Sequence, residues 1–125
     1  MTQVKVRIVF QRFINGAAYD AKGQFAEAIL EYQEALQYDT NATIFYALSR
    51  DYAVLSKPAR AAEMAREAIR LEPTNLAYRE NLAAIYVATY QYDQAITEYE
   101  KIVAFDSTYL PAWYALAQLY QRQRP

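Results

Sequence analysis

The chain of 125 residues contains neither Cys nor His. Without Cys there are no disulfides, thiolate nucleophiles or thiolate metal sites, and the redox compartment stays undetermined. Without His the chain lacks the commonest general base and the commonest transition-metal ligand. No phosphate-binding Gly-rich loop or hydrolase motif is present either. We therefore expect no enzyme activity, no cofactor and no metal.

Gly, Pro and long apolar runs are also scarce. Two Gly and four Pro are too few for a β-sandwich or another fold with many turns. No run approaches the ~20 apolar residues of a membrane-spanning helix, and no signal peptide is visible, so we expect a mature, soluble protein of unknown location. The net charge of −1 is spread along the chain and offers no basic face to nucleic acid.

What is present is a repeat with a period of about 34 residues. Glu-Ala-Leu at 34–36 returns as Glu-Ala-Ile at 67–69, and Leu48, Leu82 and Leu116 follow one another at intervals of 34. Within each period, apolar residues recur at spacings of three and four, which is typical of amphipathic helices. The pattern predicts helices over 8–22, 25–38, 42–55, 58–71, 75–89, 92–105 and 109–123.

Local signals mark the ends of these helices. Gly23 is expected to end the first helix. The polar segments 39–41, 73–75 and 106–108 are expected to supply N-cap oxygens for the helices that follow them, and Pro111 suits a first helical turn.

In this pattern the chain resembles the tetratricopeptide repeat family, whose unit is a helix–turn–helix with characteristic small and aromatic positions. The resemblance implies an all-α, right-handed α-α superhelix of about three and a half repeats. It also implies a single domain, 1–125, with an extension at 1–8, repeats at 9–41, 42–75 and 76–109, and the first helix of a fourth repeat at 110–125. The positions that carry the resemblance are Gly16, Tyr19, Ala28, Tyr32, Ala35, Phe45, Leu48, Tyr52, Ala61, Ala68, Pro73, Leu82, Tyr86, Ala95, Tyr99, Trp113, Leu116 and Tyr120.

Four residues depart from the family pattern. Arg12 and Asn15 replace an aromatic residue and a Leu in the first repeat, Ala65 replaces an aromatic residue in the second, and Ile102 replaces an Ala in the third. The first repeat is therefore expected to deviate most in its geometry.

The resemblance implies a concave groove that binds a peptide or a helix of another protein. The small and aromatic residues in the corresponding positions predict an apolar ligand. The groove positions are Phe10, Phe13, Ala17, Tyr46, Ala47, Arg50, Glu80, Asn81, Ala84, Tyr114 and Gln118.

One branch of the family holds a C-terminal carboxylate with Lys, Arg and Asn side chains. The corresponding residues here are Phe13, Ala17, Ala47, Ala77 and Asn81, which lack the cationic donors. Starting one repeat later gives Tyr46, Arg50, Asn81, Pro111 and Ala115, which do not supply the full set of cationic donors. We therefore expect that this chain does not bind chaperone tails by a carboxylate clamp.

Carboxylates on the second helices of the repeats allow an alternative reading as acid–base pairs or as ligands of a hard cation. Glu27, Glu31 and Glu34, and likewise Glu63 and Glu67, are spaced along single helix faces. Arg66 and Arg70 at neighbouring helical positions favour ordinary solvated ion pairs.

A second function class remains open. The last predicted helix carries Trp113, Leu116, Leu119 and Tyr120, and part of this apolar face has no predicted cover. We therefore expect either self-assembly into a homo-oligomer through this end or a piece of a longer repeat array.

Overall fold

A computed structural model describes residues 2–123, and in that range the chain forms seven α-helices and no strand. The predicted all-α class is confirmed. The helices are α1 Gln3–Ala21, α2 Phe25–Leu36, α3 Ala42–Val54, α4 Pro58–Leu71, α5 Leu76–Ala88, α6 Tyr92–Phe105 and α7 Leu110–Arg122.

The predicted helix bounds agree with the structure except at the first helix. α4 and α6 have the predicted bounds, and the other ends of α2 to α7 lie within two residues of the prediction. α1 begins at Gln3 instead of residue 8, because the Thr2 side chain accepts a hydrogen bond from the Lys5 N–H and starts the helix there. Val4 and Val6 in its first turns are exposed, so they add no apolar period that predicts a helix. Residues 1, 124 and 125 of the predicted domain lie outside the described residues.

The helix ends follow the predicted chemistry in most places. Gly23 has a φ of +74° after α1. Asn41 accepts hydrogen bonds from the N–H groups of Thr43 and Ile44 at 2.8 and 3.3 Å, and Asn75 accepts one from the Tyr78 N–H at 3.3 Å. These three signals are confirmed.

The predicted cap of α7 is wrong in one respect. Asp106 accepts hydrogen bonds from the backbone and the hydroxyl of Thr108, at 3.0 and 2.6 Å, so it closes a turn before the helix. The N-cap residue of α7 is Tyr109, whose side chain makes no capping bond. Pro111 lies in the first helical turn, as predicted.

The helices form two compact units. Unit 1, Met1–Glu72, contains α1 to α4, and unit 2, Pro73–Pro125, contains α5 to α7. The division of the chain into one domain with the predicted repeat boundaries stays a prediction.

Small residues bring the helices of each unit close together. Ala28, Ala61 and Ala95 are fully buried, as their predicted packing role requires. In unit 1 the Ser49 hydroxyl donates a hydrogen bond of 2.8 Å to the carbonyl of Ala61, which places α3 directly against the backbone of α4. In unit 2 Ala83 and Ala95 belong to one buried cluster. Such close contact lets the larger side chains fill the remaining space at high density.

Candidate partner-binding surfaces

Unit 1 contains an apolar cavity of about 330 Å³ between α1 and α3. Phe10 and Phe13 of α1 line it opposite Thr43 and Ile44 of α3. One carboxyl and one amide side chain from the link between α2 and α3, those of Asp39 and Asn41, contribute to its wall as well. The full lining is Val6, Val9, Phe10, Phe13, Asp39, Asn41, Thr43 and Ile44. The volume is at the lower end of the range of ligand sites. The cavity therefore has room for apolar side chains of a larger partner.

Gly16 sets the position of this wall. A Cβ atom at residue 16 would overlap the ring of Tyr32, so only Gly allows that ring to lie across α1. The Tyr32 ring also packs against Phe13, with 5.8 Å between the ring centroids and the planes tilted by 47°. One side of Phe13 is thereby supported while another faces the cavity.

The structure places the other predicted groove residues of unit 1 at or near the surface. Ala17 and Arg50 are exposed, and Tyr46 and Ala47 are half-buried. The Arg50 guanidinium lies over the Tyr46 ring, 5.7 Å from its centroid. These four do not line the cavity that holds Phe10 and Phe13.

Unit 2 contains a second cavity, of about 350 Å³, and two predicted groove residues line it. Ala84 of α5 and Gln118 of α7 are both exposed. The remaining lining mixes apolar and basic side chains, and the full set is Ala84, Val87, Tyr99, Ala115, Gln118, Leu119 and Arg122. The prediction thus names two of its seven lining residues.

The remaining predicted groove residues of unit 2 differ in their freedom to meet a ligand. The Tyr109 hydroxyl donates a hydrogen bond of 2.6 Å to the Glu80 carboxylate, so Glu80 is already engaged. Burial, together with the nearby Glu80 charge, raises the pKa of Tyr99. Asn81 is half-buried, and Tyr114 is exposed over about two thirds of its surface, 67%.

Two ion pairs between helices were not foreseen from the sequence. Arg12 contacts Glu31 at 3.0 Å in unit 1, and Arg79 contacts Glu98 at 3.1 Å in unit 2. The reading of Glu31 as a solvated helix-face carboxylate is wrong for this reason, whereas Arg70 and Glu67 do form the expected exposed pair, at 3.2 Å.

The repeat offsets carry a signal that finds these ion pairs. Arg12 and Arg79 occupy the same repeat position, and Glu31 and Glu98 occupy another. Arg12, which departs from the family's aromatic residue, therefore has a carboxylate at the facing position. Reading the two repeat positions together would have predicted both pairs.

The predicted self-association residues of α7 divide into two kinds. Leu116 and Leu119 are only 2% and 4% exposed, so the expectation that they form an open apolar surface is wrong. They face the buried cluster that α6 shares with α7, because they lie at the apolar spacing that points to α6. Trp113 and Tyr120 are exposed over 46% and 43% of their surface.

Among the exposed residues of α7, four form a stripe that we call the α7 stripe: Leu110, Trp113, Ala117 and Tyr120. Ala117 occupies the repeat position of Gly16, Ser49 and Ala83, all of which are buried in helix contacts, yet Ala117 itself is exposed. A small residue between large ones is the form of a helix-packing face.

Comparison with known proteins decides the family. The model of the tetratricopeptide repeat matches residues 55–120, which is more than half of the chain, and a second tetratricopeptide repeat model matches residues 16–41. The chain belongs to the tetratricopeptide repeat family. No curated protein matches the sequence.

Solved structures of tetratricopeptide repeat domains share its fold. The first such domain of Spaghetti (RPAP3), bound to an HSP90 peptide, is 20% identical, with a TM-score of 0.84 over 93% of each chain. The second domain of human RPAP3, in complex with an HSP70 peptide, is 15% identical, with a TM-score of 0.83 over 93% of this chain and 98% of that one. The Arabidopsis OM64 domain is 16% identical, with a TM-score of 0.85 over 94% and 98%. These likenesses establish the fold.

The described residues contain no helix that is long and apolar enough to cross a membrane.

Proposed function

We propose that this tetratricopeptide repeat protein is a non-catalytic scaffold that binds an apolar peptide or partner helix. The observation that carries the proposal is the cavity of unit 1, where Phe10 is 64% exposed and lies beside the half-buried Phe13. An exposed aromatic ring next to an apolar cavity gives a partner a large contact area at a small entropic cost. The peptide complexes of related domains support this class of function.

The second cavity, lined by Ala84 and Gln118, extends the proposal to unit 2. Its side chains mix apolar carbon with one cation, Arg122. We propose that the predicted groove residues of both units contribute to partner contact, with Phe10 and Phe13 as the principal anchors.

The test compares Ala substitutions at two residues whose side chains are almost equally exposed. Phe10 and Leu30 are 64% and 63% exposed, and only Phe10 lines the cavity. Peptides are first selected from a random library on the wild-type chain. Phe10→Ala is then expected to weaken their binding by at least about tenfold, whereas Leu30→Ala leaves it unchanged. Equal losses in both variants, or no loss in either, contradict the proposed site.

The mode of binding is proposed to differ from the carboxylate clamp of the chaperone-tail binders. The clamp positions hold Phe13, Ala17, Ala47, Ala77 and Asn81, so no Lys or Arg is available there for a terminal carboxylate. Selected peptides with a free or an amidated C-terminus are expected to bind equally well. A strong preference for the free carboxylate contradicts this part of the proposal.

The exposed α7 stripe favours a second candidate function, self-association with another copy of this chain. Trp113 and Tyr120 lie four residues before and three residues after Ala117. Two copies packed antiparallel would therefore place Ala117 against Ala117 and each Trp113 near the other copy's Tyr120, the reciprocal contact of a two-fold dimer.

Sedimentation over a hundredfold range of concentration tests this candidate. Ala117 and Ala104 are both exposed helical Ala residues, and only Ala117 is in the stripe. Ala117→Arg is expected to remove a concentration-dependent dimer that Ala104→Arg retains. A wild-type chain that stays monomeric throughout eliminates self-association as a function of the stripe.

A further inference from the structure

A buried and a half-buried carboxyl group from different helices, Asp51 and Asp20, interact in unit 1. Asp51 of α3 is only 4% exposed. Its Oδ2 atom and the Oδ1 atom of Asp20 in α1 are both buried, and neither has a hydrogen-bond donor. The other oxygen of Asp20, Oδ2, accepts a hydrogen bond of 2.6 Å from the Tyr32 hydroxyl. The polar groups of α1, α2 and α3 thus converge at one buried point.

Two facing carboxylates cannot both stay charged in such a place without a large energetic cost. A single proton between them removes one charge and supplies the missing donor. Burial, followed by the hydrogen bond and the charge of Asp20, raises the pKa of Asp51 to about 8, while the Arg50 cation acts in the opposite direction. Tyr32 is the titratable group that faces the pair from α2, and no charge from α4 is among the causes of the shift.

The repeat shows that the fold does not itself require these acids. Two repeats later along the chain, the positions of Asp20 and Asp51 hold Val87 and Leu119. Both of these residues line the cavity of unit 2. An apolar pair therefore occupies the same positions in unit 2, and the carboxyl pair is a feature of unit 1.

We propose that Asp20 and Asp51 share one proton that joins α1 to α3, and that unit 1 loses this stabilising contact when the proton leaves at alkaline pH. This inference is independent of what the chain binds. The folded chain keeps a proton that an unfolded Asp releases near pH 4. The stabilisation is therefore fully present below pH 4, falls as the pH rises, and is exhausted near pH 8.

The composition leaves few other groups that titrate in the pH range of the test. The chain has no His and no Cys, so between about pH 5 and 8 no side chain of ordinary pKa titrates. Over this range one extra proton in the folded state lowers the folding constant by about tenfold for each pH unit. A pH dependence of that size has no other evident source in the chain.

The first measurement is a carbon NMR titration of the five Asp carboxyl groups in the folded wild-type chain. Asp51→Asn assigns the resonance of Asp51. One carboxyl group of the Asp20–Asp51 pair is expected to hold its proton well above pH 5. The proposal is overturned if all five carboxyl groups titrate below about pH 5, the range of unperturbed Asp.

The second measurement is urea denaturation at several pH values between 5 and 8, followed by circular dichroism. Asp51→Asn keeps a donor for Asp20 but cannot titrate, so its folding constant is expected to be independent of pH where that of the wild type falls. Asp93→Asn, an exposed Asp of unit 2, is the control and should behave like the wild type. If Asp51→Asn does not fold, the double variant Asp20→Val with Asp51→Leu, which copies unit 2, takes its place. Equal pH dependence in wild type and variant overturns the proposal.

Discussion

The ion pair between Arg79 and Glu98 allows a quantitative prediction. Their side chains are only 12% and 10% exposed, and the Arg79 guanidinium also donates a hydrogen bond of 3.0 Å to the carbonyl of Pro73. Arg79→Ala therefore leaves Glu98 buried without its main counter-charge. Removing one partner of a buried pair costs about 3–5 kcal/mol of the free energy of unfolding. Lys101, 3.5 Å from Glu98, retains some compensation, so we expect about 3 kcal/mol.

The second repeat supplies the matched rescue. At the positions of Arg79 and Glu98 it carries Phe45 and Met64, so the fold accommodates an apolar pair there. Replacing a buried ion pair by apolar residues of similar volume is often neutral or stabilising. The double variant Arg79→Phe with Glu98→Met is therefore expected to recover most of the stability that Arg79→Ala loses.

Urea denaturation followed by the fluorescence of Trp113 is the appropriate assay. Trp113 is the single Trp of the chain and lies in unit 2, with the ion pair, so its signal reports on that unit. Arg12→Ala is a useful comparison, because its pair with Glu31 is more exposed, at 42% and 18%, and its loss should be clearly smaller. Since Arg12 lies in unit 1, its unfolding is followed by circular dichroism, and Arg79→Ala is measured in the same way beside it. The reasoning is refuted if the double variant is as unstable as Arg79→Ala, or if Arg12→Ala costs as much.

Three further substitutions test local features by urea denaturation followed by circular dichroism. Asn41→Ala removes the N-cap of α3 and should cost about 1 kcal/mol; an unchanged midpoint would show that the cap is dispensable. Gly16→Ala introduces a Cβ that overlaps Tyr32 and should cost about 1–3 kcal/mol, whereas a stabilised variant would mean that the ring can move aside. Tyr90 has a φ of +62°, so Tyr90→Gly should relieve up to about 1 kcal/mol of backbone strain. The loss of the ring contact between Tyr90 and Tyr92 offsets part of this gain, and a markedly less stable variant would contradict the reasoning.

Much of the fold could be predicted because two independent signals agree, the apolar period of each helix and the residues that mark its ends. α4 and α6 have an apolar period and are followed by the polar segments 73–75 and 106–108, and their predicted bounds match the structure. The start of α1 lacks the apolar period, since Val4 and Val6 are exposed and lie two residues apart, which is not a helical spacing. Only the Thr2 cap marks that end.

The candidate site could be predicted only in part, because periodicity identifies the exposed face of a helix but not which exposed residues enclose a space. Phe10 and Phe13 were found in this way, and they line a cavity. Asp39 belongs to the link between α2 and α3, which has no helical period, so its place in the same wall depends on how that link closes. The prediction that Leu116 forms an open surface was wrong for a related reason, since periodicity shows that a face is apolar but not which neighbour covers it.

The repeat itself offers a further source of information, which links the ion pairs to the exposed Trp113. One repeat position holds Arg12, Phe45, Arg79 and Trp113 in turn. Where it holds Arg, the facing position holds Glu, and where it holds Phe, the facing position holds Met. The polarity of the facing residue thus follows that of the first-helix residue. We therefore expect an apolar residue to face Trp113, because its ring carries no charge that could offset the burial of a carboxylate. A helix that packed on the α7 stripe would be expected to resemble α4 at this position, with a residue such as Met64, and not α2 or α6.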